Sequence, residues 1–130
     1  MNEAQLKRDL VATLLKEGGY GRRLEDKYAV GTLDLLLMTE QYVIYAEVKM
    51  LKGIVALPAR VAQRREIEKF NGVGNSHARA IVIGYRDGGL GFGLPGQRWD
   101  HNFRISWPLD ESTLTDGLDG AVDRIFKRGL

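Results

Sequence analysis

Asp34, Glu47 and Lys49 lie within one short apolar stretch, GTLDLLLMTEQYVIYAEVK at Gly31–Lys49. Asp34 stands near its start, and Glu47-Val48-Lys49 closes it. Leu33–Thr39 and Tyr42–Val48 are rich in leucine, valine, isoleucine and tyrosine and read as two strands, with the break at Glu40-Gln41. A two-residue turn there sets Asp34 directly opposite Glu47, with β carbons about 5 Å apart. Side chains alternate along a strand, so Lys49 faces the same way as Glu47, about 6.5 Å further on. Two carboxylates that close repel each other and weaken the pairing unless something positive lies between them. A divalent cation with hard oxygen ligands meets that need, since magnesium takes one or two carboxylates together with waters and phosphate oxygens. Lys49 is too far along the strand to neutralise both acids, yet it can reach a water held by such an ion. The competing reading is an exposed sheet end whose Asp–Lys pair is worth little. Spacing alone does not choose between them.

At these residues the chain resembles the PD-(D/E)XK nucleases. Asp34, twelve intervening residues and then Glu47-Val48-Lys49 match that signature. Gly31-Thr32-Leu33-Asp34 and Ala46-Glu47-Val48-Lys49 are most similar to the small stand-alone VRR-NUC branch, found often in phages and in relatives of Holliday-junction resolvases. The resemblance spans Glu3 to Arg86; it departs at Leu33, where the family usually has proline, and the segment after Tyr85 has no counterpart in the pattern. It implies a restriction-endonuclease-like α/β core, with a mixed central β-sheet flanked by helices. It also implies phosphodiester hydrolysis dependent on Mg2+ or Mn2+. On that resemblance Asp34 and Glu47 hold the metal, helped by the Val48 carbonyl and by a first-helix acid that Glu3 matches, with Glu17 and Glu25 as lesser candidates. For Glu3 the plain alternative is a surface acid favourable to the helix dipole. Lys49 orients or deprotonates the attacking water, and Gln63, matching a glutamine on the family's following helix, orients Lys49 or the scissile phosphate.

The elements that must carry these residues follow from local pattern. Asn2 to Glu17 reads as a first helix with Asn2 as N-cap, Gln5 at the capping-box position and Gly18-Gly19 as the stop. Its stripe is Leu6, Leu10, Leu14 and Val11. Gly18–Arg23 reads as a loop and Lys27–Val30 as a short strand into the hairpin. Leu33, Leu35 and Leu37 are expected to share one hairpin face with Ile44, Ala46 and Val48, and Leu36, Met38, Val43 and Tyr45 the other. Apolar residues on both faces mark a central hairpin with helices on either side. Met50–Leu57 reads as a loop, and Pro58 starts a helix running to Phe70. Gln63 lies on that helix's inward stripe with Ala59, Ile67 and Phe70, where a buried amide needs partners. Lys52, Arg60, Arg64 and Arg65 form, with Lys49 and Lys69, the densest basic region. They suit DNA phosphate contacts, which position a duplex without reading its bases. A solvated charged face is the competing reading, with Glu66 and Glu68 as intrahelical partners. Ala80–Arg86 reads as a buried strand, Asp87-Gly88-Gly89 as a turn and Leu90–Leu94 as the return. Alternation of Phe103, Ile105 and Trp107 suggests a further strand, within an aromatic segment Pro95–Pro108 that favours core or interface over base stacking. Asp110 caps a last helix with the stripe Leu114, Leu118, Val122 and Ile125.

Composition bounds these readings. A chain of 130 residues is one domain, 1–130, with a single core. Its 19 basic and 17 acidic residues give only +2, so the computed pI near 9.0 is not the footprint of bulk-charge nucleic-acid binding, and DNA contact must come from local clustering. With no cysteine there is no disulfide framework or thiolate zinc site, and neither a membrane span nor a signal peptide is read; a cytoplasmic protein is expected. His77 and His101 lack metal spacing, and no serine or cysteine nucleophile constellation is visible. The expectation is an α/β, Mg2+- or Mn2+-dependent deoxyribonuclease. It is read as an endonuclease on duplex or branched DNA (junction or flap), working as a homodimer because two-fold substrates invite two-fold proteins. The alternatives are a catalytically silent nuclease-fold module that binds DNA or protein, and a purely structural or regulatory α/β protein.

Overall fold

The computed structural model describes residues 2–24, 31–52, 55–56, 61–86, 89–93 and 118–128. The first helix, α1, runs from Glu3 to Lys16. Asn2 caps it, its Oδ1 accepting the Gln5 N–H at 2.8 Å. Its end is a Schellman turn, with the Gly18 and Gly19 N–H groups donating to the carbonyls of Leu15 (3.2 Å) and Leu14 (2.9 Å). Gly18 sits at φ 94°, a conformation that disfavours any side chain and makes this glycine the stop.

Tyr20–Arg23 then forms β1, Leu35–Met38 forms β2 and Val43–Lys52 forms β3. The short Val55–Ala56 is β4, Val61–Gly72 is α2, Ala78–Arg86 is β5, Gly89–Gly93 is β6 and Leu118–Arg128 is α3. The sheet order is β1-β2-β3-β5-β6, with β4 paired to the far end of β3. β3 and β5 are parallel, joined through α2, and the other pairs are antiparallel. The sheet is therefore mixed, and the expected α/β architecture holds.

The β2–β3 hairpin turns at Glu40-Gln41, as its pattern predicts. The Thr39 N–H donates to the Tyr42 carbonyl (2.8 Å), and the Thr39 hydroxyl accepts the Tyr42 N–H (3.0 Å). The pairing Leu35↔Ala46 through Met38↔Val43 is the register that turn dictates. On one face Leu35, Leu37, Ile44, Ala46 and Val48 pack with Ile81 and Ile83 of β5, beneath Leu6, Leu10 and Leu14 of α1 and Ala121, Val122 and Ile125 of α3. On the other, Leu33, Ala80 and Val82 pack against Ile67 of α2, with Tyr45 and Phe70 alongside.

Four local expectations need correction. Tyr20–Arg23 is a strand, not a loop: its backbone completes the open edge of β2, and the buried Gly21 lies under Val11 of α1. β3 does not stop at Val48 but continues to Lys52, because its backbone goes on pairing with β5 and then with β4, so Met50–Leu57 is not one loop. The following strand begins at Ala78 rather than Ala80. Leu33 faces α2 rather than joining Leu35, since the chain bends at Asp34 and strand alternation begins only at Leu35. The expectations for Lys27–Val30, Glu25, Pro58, Ala59, Arg60, Asp87-Gly88, Pro95–Pro108, Asp110 and Leu114 lie outside the described residues.

Candidate active site

The site is built where β2 gives way to the bend before it. Gly31, at φ 92°, presses so closely on α2 that a β carbon there would meet the Ala62 carbonyl oxygen at 2.7 Å. Two residues later the Leu33 N–H donates to the Tyr45 hydroxyl at 3.0 Å, and the Tyr45 ring packs on Phe70 of α2 with centroids 5.3 Å apart. The Asp34 carbonyl accepts the Leu24 N–H at 2.8 Å. The segment leading into Asp34 is thus tied to β3, to α2 and to the chain leaving β1.

The Asp34 carboxylate takes the place of a strand. Its Oδ2 accepts the Val48 N–H at 2.9 Å, so a side chain continues the pairing that the β2 backbone gives up. The N–H and C=O of one strand residue point to the same side, which directs the Val48 carbonyl to the side of β3 on which Asp34 lies. Asp34 Oδ1 receives the Lys7 ammonium of α1 at 3.1 Å.

Glu47 is the buried charged residue of this core among the described residues, at 2% exposure. It shares a hydrogen bond with Asp34, while its Oε2 is buried without a hydrogen-bond partner. Burial first, then the hydrogen bond and negative charge of Asp34, push the Glu47 carboxyl up to about 9, against which the charges of Lys49 and Lys7 work only partly. Burial also raises Asp34, but hydrogen bonds from Glu47, the Val48 N–H and Lys7, together with the Lys7 charge, outweigh it and leave Asp34 below the ordinary carboxylate value. The arrangement is one ionised acid and one acid that keeps its proton, as expected for two adjoining carboxyl groups of which one is buried.

This donor set fits a hard divalent cation. Two carboxyl groups converge, one buried oxygen lacks a partner, and the pair cannot ionise fully without added positive charge. Among the described residues no third acid or histidine joins them in a metal-holding group. Glu3, half-buried in the first turn of α1, is not brought into such a group; the α1 side chain that reaches Asp34 is Lys7.

Of the remaining candidates, Lys49 is half-buried two residues beyond Glu47, and its charge acts on Glu47. Gln63 is half-buried near the start of α2, next to Ala62, on which Gly31 rests. Arg64 forms an intrahelical pair with Glu68 at 3.0 Å, Arg65 is exposed, and Lys52 ends β3. Two residues that sequence reasoning passed over matter here. Lys7 stands beside Leu6 on the flank of the buried stripe, and that adjacency was the available signal. Tyr45 shares the strand face of Glu47, where its hydroxyl needed a partner.

No protein-family model matches the chain, and no curated protein matches it by sequence. Among solved structures it is similar to Archaeoglobus fulgidus Hjc, a Holliday junction resolvase from an archaeal hyperthermophile. The TM-score is 0.61 at 24% identity, covering 82% of this chain and 89% of that one. The likeness shows a shared fold.

Proposed function

We propose that the chain is a nuclease that hydrolyses DNA phosphodiester bonds with the help of Mg2+ or Mn2+. The observation that carries this reading is the Asp34–Glu47 pair, with Glu47 buried and its Oε2 bare, beside Lys49. A structural ion pair needs no second buried acid, and such a pair is strongly disfavoured unless a charged ligand visits it. The fold shared with a Holliday junction resolvase supports branched DNA as substrate and internal cutting as the mode. The finer likeness to the VRR-NUC branch rests on Gly31–Asp34 and Ala46–Lys49.

Asp34, Glu47 and the Val48 carbonyl would hold the cation. When bound, the cation supplies Lewis acidity toward the scissile phosphate and the attacking water. Lys49 orients that water and places positive charge where negative charge develops on the phosphate. Gln63 orients Lys49 or the phosphate from α2. Lys52, Arg60, Arg64 and Arg65 contact phosphates along the duplex, with Arg64 leaving its exposed Glu68 partner at little cost. A homodimer matches the two-fold symmetry of a junction, and a chain this small encloses no DNA by itself. A nuclease acting on DNA would work in the cytoplasm; separately, no described helix is long and apolar enough to cross a membrane.

The test is incubation with plasmid and with four-way-junction DNA, with and without Mg2+ or Mn2+. Cutting should require the ion and be abolished by Lys49→Ala, while a gel shift shows retained binding. Cutting that survives Lys49→Ala overturns the assignment of the site.

A further inference from the structure

Positive charge reaches the carboxyl pair from an element that supplies no acid to it. Leu6, Leu10 and Leu14 are fully buried and seat α1 on the sheet, so the backbone of Lys7 is fixed by core packing. The Lys7 side chain is itself largely sheltered, at 17% exposure, as is Asp34 at 21%. This contact therefore differs in kind from the Lys127–Asp123 pair of α3, whose side chains are 70% and 61% exposed. Both oxygens of Asp34 are taken, one by Lys7 and one by the Val48 N–H, while Glu47 Oε2 has nothing. An ammonium brings one charge to one acid. It leaves the second, whose buried Oε2 has no hydrogen-bond partner.

We propose that Lys7 is a built-in counter-ion of the carboxyl pair, competing with a divalent cation for Asp34 Oδ1 and keeping the affinity for the free ion low. The inference rests on the metal site of the proposed nuclease and adds a residue that sets how the site loads. An ion attracted to Glu47 Oε2 is repelled by the Lys7 charge and must displace it from Asp34. The negative charge of a DNA phosphate offsets that repulsion, so ion and DNA bind with positive coupling. Lys7 is then a positioning residue acting through Asp34, outside the set that touches the reacting atoms.

Mn2+ titrated calorimetrically into the DNA-free chain tests this. The comparison is wild type against Lys7→Met, which keeps the apolar stem and deletes the charge, and Lys7→Arg, which keeps the charge. Lys7→Gln is a second charge deletion should Lys7→Met fold poorly, with circular dichroism verifying each fold. The expected result is Mn2+ binding about tenfold tighter or more in the charge deletions and near wild type in Lys7→Arg. At one subsaturating Mn2+ concentration the rise in melting temperature should likewise be larger in the deletions. Equal or weaker Mn2+ binding in the deletions overturns the inference and leaves the metal site standing. Absence of Mn2+ binding in every form overturns the metal site and the inference together.

Discussion

Replacing Glu47 by glutamine should stabilise the metal-free protein, although it removes a buried carboxyl group from the core. The carboxyl has an ordinary value of 4.5 and is pushed up to about 9 in the folded chain. Between those values the folded state holds a proton that the unfolded state has released, so stability falls as pH rises. Each pH unit in that window is worth about 1.4 kcal/mol, so keeping Glu47 folded at pH 7 costs about 3 kcal/mol relative to a neutral isostere. Asp34 acts in the opposite sense and in another window: its lowered value contributes stability present above 3.8 and lost as pH falls through its folded value. Glutamine fits the space, and its amide can donate to Asp34 where the protonated acid now does. In chelator at pH 7, Glu47→Gln should raise stability by up to about 3 kcal/mol, an upward shift on the order of 10 °C. The gain should vanish at pH 4, where the wild-type acid is protonated in both states. Thermal and urea unfolding followed by circular dichroism read both. A loss of stability at pH 7, or the same gain at pH 4 as at pH 7, would refute the reasoning.

Cation binding should expel a proton, because Glu47 must ionise to use both oxygens. Calorimetry at pH 7 in two buffers of different ionisation enthalpy should show about one proton released per ion, and identical heats would contradict the shared-proton arrangement. Asn71 should matter for stability well away from the chemistry. Its side chain accepts the Ala80 N–H at 2.7 Å and donates to the Ala80 carbonyl at 2.9 Å, and Ala80 is fully buried. Asn71→Ala leaves both groups without partners and should cost about 2–3 kcal/mol in urea unfolding, whereas a change under about 0.5 kcal/mol would show that water replaces the clamp.

The hairpin was legible because two independent signals agree. The break at Glu40-Gln41 fixes the pairing, and apolar residues on both faces mark the hairpin as covered on either side. The Asn2 cap and the Gly18-Gly19 stop were equally plain, since each does local work on the backbone. What could not be read depends on partners distant in sequence. Nothing in Tyr20-Gly21-Arg22-Arg23 marks a strand until the edge of β2 is there to pair with it. Leu33 changes face because Asp34 turns its side chain to Val48, a contact fourteen residues away. Lys7 lies in line with Val11 and Leu14 beside the buried stripe, but only the seating of α1 on the sheet shows that the side chain it meets is Asp34. The acid pair itself was visible from spacing, whereas its protonation state follows from burial, which spacing does not encode.

The central claim is that Asp34 and Glu47 grip one divalent ion between them. Anomalous diffraction from crystals soaked in Mn2+ tests it most directly. The account predicts a peak within bonding distance of both carboxyl groups, absent from crystals of Glu47→Gln. Clean density between the two acids in the wild-type crystals, or a peak confined to other carboxylates, would contradict it.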